Sequence, residues 1–191
     1  IIPSDGVHWK MIAPSLKRTN NYFRLSIKCE DKWGNPSNTT GGEFFLSAEK
    51  KIKNLPDKVI FKVGEFAKTL DKLMVEEECC FKIFLKNKKG RVLAKSNQIT
   101  IENLNYEHFW SDMHGQSKET IGTNSAKDYF DFARNKSFLD ICGHQGNDFQ
   151  ITDDFWKELN ILTKNFNEDG RFLALPGYEW SGNTAVGGDH N

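Results

Sequence analysis

The sequence predicts two architectures in series: an all-β immunoglobulin-like sandwich over residues 1–104, then α/β structure over residues 105–191. Three observations carry this. Apolar and polar residues alternate in short runs through the first part, the period of half-buried strands. In the second part the apolar spacing changes to three and four, the period of helices. Charge divides at the same place. Residues 1–104 hold 19 lysines and arginines against 12 acids, a surplus of +7; residues 105–191 hold 7 against 14, a deficit of −7. The 191-residue chain as a whole balances 26 against 26. That neutrality argues against nucleic-acid binding, which needs a basic surplus, and against a polybasic membrane-surface role. No run approaches the roughly 18 apolar residues that cross a bilayer. A soluble protein, cytoplasmic or periplasmic, is therefore expected.

In the first part, Tyr22 to Cys29 sets Phe23, Leu25 and Ile27 against Arg24, Ser26 and Lys28. Lys58 to Val63 repeats the pattern with Val59, Phe61 and Val63 inward, residues 79–85 do so again, and Gln98 to Glu102 supplies a last strand. Turn clusters separate them: Asp31-Lys32-Trp33-Gly34-Asn35-Pro36, Thr40-Gly41-Gly42 and Asn87-Lys88-Lys89-Gly90. Short antiparallel strands at this spacing indicate a sandwich. Its outward lysines (Lys58, Lys62, Lys82, Lys86) solubilise the sheets and block edge pairing. Cys29 and Cys79 are in phase with the inward sets, so they either pair across the sandwich or remain buried thiols. Cys80 and Cys142 complete a set with no C-x-x-C spacing, which argues against a zinc ribbon.

From residue 105 the order reads strand, helix, strand, helix, strand. Phe109 to His114 is the first strand. Ser125 with Asp128 forms a capping box for a helix whose stripe is Ala126, Tyr129, Phe130 and Ala133. Phe138 to Cys142 is the second strand, Thr152 caps a helix with the stripe Phe155, Leu159, Leu162 and Phe166, and Arg171 to Leu175 is the third strand. This is the opening of a parallel α/β architecture.

Chemistry gathers where these strands end. The first ends Asp112-Met113-His114, the second at His144, and the third runs into Gly177-Tyr178-Glu179. Active sites of parallel α/β barrels are built at that end. Asp112 and His114 are two apart, so in an extended chain both point to the same side. Imidazole and carboxylate suit a hydrolytic divalent metal such as Zn, Mn or Fe. The expected ligands are Asp112, His114, His144 and Glu179, with His190 a further candidate; Asp112, His114 and Glu179 are the expected catalytic set. His8 and His108 lack such company.

The segment Phe109-Trp110-Ser111-Asp112-Met113-His114-Gly115-Gln116-Ser117 resembles the opening motif of the polymerase and histidinol phosphatase (PHP) superfamily. With the Asp31-to-Pro36 loop and Gly170 to Trp180, the chain resembles PHP-like proteins carrying an N-terminal immunoglobulin-like domain. The resemblance implies the first β/α units of a distorted barrel, incomplete here, and metal-dependent hydrolysis of a small-molecule ester, with phosphate as the usual substrate class. It also implies that Asp112, His114, His144 and Glu179 are motif ligands, although Cys142-Gly143-His144-Gln145 departs from the common Thr-Asp-His-Asp. On this reading the chain is a fragment, inactive or nearly so alone, with the remaining barrel half or another chain against its open sheet edge. Two alternatives stand beside it: hydrolysis of a non-phosphate ester, and carbohydrate or protein binding by the sandwich through Trp33, Phe44 and Phe45 on a degenerate barrel scaffold.

Overall fold

In the computed structural model the chain divides into two compact units, Ile1–His108 and Phe109–Asn191. The structure describes residues 2–184 and 187–190, with side chains from 183 onward outside the description.

The first unit is an all-β sandwich. Its strands are β1 (His8–Ile12), β2 (Leu16–Arg18), β3 (Phe23–Glu30), β4 (Pro36–Ser37), β5 (Gly42–Ala48), β6 (Lys58–Phe61), β7 (Ala67–Leu73), β8 (Cys79–Phe81), β9 (Ile83–Lys86), β10 (Val92–Lys95) and β11 (Ile99–Glu102). One sheet runs β1-β3-β4 with β7 also on β3; the second runs β10-β9-β5-β6; a small third joins β2-β11-β8. Alternation decides which side chains meet. Leu25 and Ile27 of β3, Phe44 and Leu46 of β5, and Ile83 and Leu85 of β9 are buried in one core. Trp9 closes it, its ring 4.4 Å from Phe44 and 4.9 Å from Phe61.

Several expectations shift by a strand end. Residues 79–85 form two strands rather than one, because β8 pairs with β11 and β9 with β5 and β10. Val63, expected inward, is 77 % exposed: β6 stops at Phe61 and the chain turns, with Glu65 N–H donating to Lys62 O and Gly64 at φ +100°. All four cysteines are free thiols, Cys29 buried and Cys79 partly so, which decides between the two readings of that pair. Residues 103–108 stay with the sandwich because Glu107 is gripped by Lys17, Asn21 and the Arg18 N–H.

The second unit contains β12 (Ser111–Gly115), α1 (Ala126–Phe132), β13 (Ile141–His144), β14 (Gly146–Asn147), α2 (Asp153–Phe166), β15 (Leu173–Leu175), β16 (Tyr178–Glu179), β17 (Ser181–Thr184) and β18 (Gly187–His190). β12, β13 and β15 are parallel, in that order, and β14 pairs in parallel with β16. The caps are as expected. Ser125 Oγ accepts from Asp128 N–H at 3.1 Å and donates back to its carboxylate at 2.7 Å; Thr152 Oγ1 accepts from Phe155 N–H. Phe130, Leu159 and Phe166 pack with Cys142 and Ala174 of the sheet. The second strand starts later than expected, at Ile141, because a π-helical turn over Ala133–Ser137 ends with Phe138 in the left-handed region at φ 61°. Among the described residues the sheet has three strands and two open edges, and no barrel is formed. No helix among them is long and apolar enough to cross a membrane.

Candidate functional site

Three strands, β12, β13 and β16, carry the expected side chains, but the backbone does not treat them alike. Asp112 pairs with Cys142, and the next pair is Gly115 with His144. Three steps on β12 therefore match two on β13, a bulge at Met113 and His114 that breaks simple alternation. Within it, Asp112 Oδ1 accepts from His114 N–H at 3.1 Å. The imidazole of His114 is 69 % exposed, and its Nε2 lies 3.6 Å from Glu179 Oε2, whose side chain is only 14 % exposed. Glu179 is carried there by β16, beside Asn147 of β14. A sheltered carboxylate behind an open imidazole is the geometry the structure offers.

His144 behaves differently. It follows Cys142 by two on β13 and so shares that residue's helix-covered face. Its ring is fully buried, edge-on to Phe155 at 5.4 Å. Nδ1 accepts from Gly146 N–H at 3.3 Å, which leaves Nε2–H to donate to Ser117 Oγ at 2.8 Å. Burial pushes its pKa down, and the nearby Glu119 charge offsets part of that. Both ring nitrogens are spent inside the unit. His144 is a core histidine here, apart from the His114–Glu179 pair. The backbone sets His190 opposite Ser181; its side chain lies outside the described residues.

Asp112 has another neighbourhood. Burial, with Cys142 and Asp112 close by, raises the Tyr129 hydroxyl well above the ordinary phenol range. Burial and the Asp112 charge push Cys142 up to about 11, against the lowering effect of its bond to Tyr129. The Tyr129 hydroxyl donates to Gly143 O at 3.2 Å. Gly115 makes room for that ring: a Cβ there would sit 1.8 Å from it. Sequence reasoning placed Tyr129 on a core stripe and missed this contact, as it missed Ser117; neither has a local spacing signal. Among the described residues no three His, Cys, Asp or Glu side chains converge to hold a metal ion. The four expected ligands thus reduce to one close pair, and no reaction step is derived through a metal.

On the sandwich, Phe44 is a core residue and Phe45 is half-buried in β5, while Trp33 is 75 % exposed. Its loop is built around Asp31, itself buried, which accepts from the N–H groups of Trp33, Asn35 and Ser4 and from the Asn35 amide. Burial alone would raise this carboxyl, but those bonds outweigh it and lower it to about 2.

No family model matches this chain. It is similar to an uncharacterised protein of Chlamydia pneumoniae, 26 % identical over 182 residues, covering 91 % of the chain and 28 % of that protein. Uncharacterised proteins of Chlamydia muridarum and Chlamydia trachomatis serovar D are each 25 % identical over 176 residues, covering 90 % of the chain and 28 % of theirs. The chain thus spans a little over a quarter of the length of these relatives. A solved structure, the D00-D0 domain of Intimin, aligns over 53 % of the chain and 49 % of its own at 7 % identity and TM-score 0.37. The resemblance to the PHP superfamily is overturned. The relatives it matches are uncharacterised, no family model matches, and among the described residues the parallel sheet of the second unit has three strands and closes no barrel.

Proposed function

We propose that the second unit is the reactive part of a hydrolase, with His114 and Glu179 as its working pair. The 3.6 Å approach of Nε2 to a sheltered carboxylate carries the reading. Glu179 would orient the ring and stabilise its protonated form, and His114 would take a proton from water attacking an ester. Phosphate, carboxyl and sulfate esters all fit that chemistry, phosphate being the first to try. The metal-dependent form of the reading needs donors beyond this pair. The open edges at β12 and β15 are where further polypeptide would dock, and the relatives have the length to supply it. The test is hydrolysis of p-nitrophenyl phosphate, acetate and sulfate by the protein and its His114→Ala and Glu179→Gln variants. Either substitution should lower turnover by roughly 10²–10⁴-fold. Unchanged turnover in both variants refutes the assignment. Loss of activity with EDTA, restored by Zn or Mn, would select the metal form.

A second reading, glycan binding by the sandwich, rests on Trp33. Asp31 holds the loop in place before any ligand arrives, so little ordering cost remains for a sugar ring stacking on the indole. Glycan-array binding by the protein, insensitive to chelator and lost in Trp33→Ala, supports it; binding that survives Trp33→Ala rejects it.

A further inference from the structure

The hairpin between β9 and β10 holds a cluster of charge that neither reading uses. Its turn is fixed by Asn87, whose Oδ1 accepts from Lys89 N–H and Arg91 N–H, both at 3.0 Å, while its carbonyl accepts from Gly90 N–H at 2.9 Å. Gly90 supplies the left-handed residue at φ +77°. This small cage splays Lys88, Lys89 and Arg91 along an open groove of about 560 Å³, whose other wall is Gly41 and the start of β5 at Gly42, Glu43 and Phe44.

The charges in the groove do not cancel. Glu43 is the acid in its lining, and it is already engaged: Lys58 donates to it at 2.7 Å from β6, and Lys88 lies 3.9 Å away. Among the described residues neither Lys89 nor Arg91 has an ion-pair partner. Three cations and one shared acid leave the lining positive. A guanidinium fork beside ammonium groups suits the oxygens of a phosphate.

We propose that this groove binds a phosphomonoester group. Arg91 takes two of its oxygens, and Lys89 and Lys88 offset its remaining charge. The occupant is either a small soluble phosphate ester or the phosphate of a lipid headgroup; the chemistry at the groove is the same.

The test is an amide-resolved NMR titration of the protein with glycerol 3-phosphate at low salt. A parallel arm measures co-sedimentation with phosphatidylcholine vesicles containing phosphatidic acid. Shifts should concentrate at Gly41, Gly42 and 88–91, and the double variant Lys89→Gln/Arg91→Gln should weaken binding at least tenfold. Lys62→Gln, an exposed lysine outside the groove, should leave it within twofold. Binding to glycerol 3-phosphate or to the vesicles supports the site and identifies which carrier it serves. Shifts spread evenly over Lys50, Lys51 and Lys62, or a double variant that binds both probes like the parent, would overturn it.

Discussion

The sandwich and the α/β unit bury their cores by different means, and the difference decides which polar side chains stay exposed. In the sandwich, strands from two facing sheets close on one another, so Leu25, Ile27, Ile83 and Leu85 are fully buried. Polar groups that go inside, such as Asp31, are used to shape loops. In the α/β unit the helices cover β13, but β12 is exposed at four of its five positions. The groups left out of the core, His114 among them, are those free to react.

The comparison breaks most readily with matched core truncations. Leu25→Ala and Leu159→Ala each remove a fully buried leucine, one from each unit. Each should cost about 2–5 kcal/mol. Amide exchange should then show protection lost within the substituted unit and retained in the other. Loss in both units from either substitution would show that they unfold as one body and that the contrast is only descriptive.

How much of this was legible in sequence depended on whether a signal was local. Ser125 and Thr152 announced their helices because a cap acts within three residues, and the stripes through Phe130 and Leu159 repeat within a turn or two. β7 went unread because Ala67–Leu73 has no alternation; its place is set by pairing with β3, far away in sequence. The Asp112–His114 geometry was misread for a related reason. Regular extension puts both on one side, and the bulge that prevents it shows only in the register with β13. His144 looked like a strand-end ligand because it follows Asp140 and Cys142 at steps of two, and only the packing of Phe155 from α2 shows that it is buried.

Gly115 tests how that edge is built. Adding one methyl there would put Cβ 1.8 Å from the Tyr129 ring. Gly115→Ala should destabilise the α/β unit by about 1–3 kcal/mol, as overpacking does. Adding Tyr129→Ala clears the space, so the double variant should be more stable than the sum of the two single effects. Strict additivity in chemical denaturation would mean that the ring moves aside and that Gly115 has no such role.

Acid separates the two units with a smaller effect of opposite origin. His144 is held neutral by burial, so its folded pKa lies below the ordinary value of 6.5. The α/β unit then has its full contribution above pH 6.5 and loses it as pH falls below that, by at most about 1.4 kcal/mol per pH unit for one proton. Asp31 in the sandwich is shifted from 3.8 to about 2 by its hydrogen bonds. Its contribution is present above pH 3.8 and fades as pH falls toward 2. Between pH 7 and 5 the α/β unit should therefore weaken while the sandwich holds, as read by exchange protection in each. His144→Gln, which keeps a donor for Ser117 and cannot be charged, should flatten the α/β response and leave the sandwich unchanged. A wild-type slope surviving in that variant would place the titrating group elsewhere and remove the argument that His144 belongs to the core.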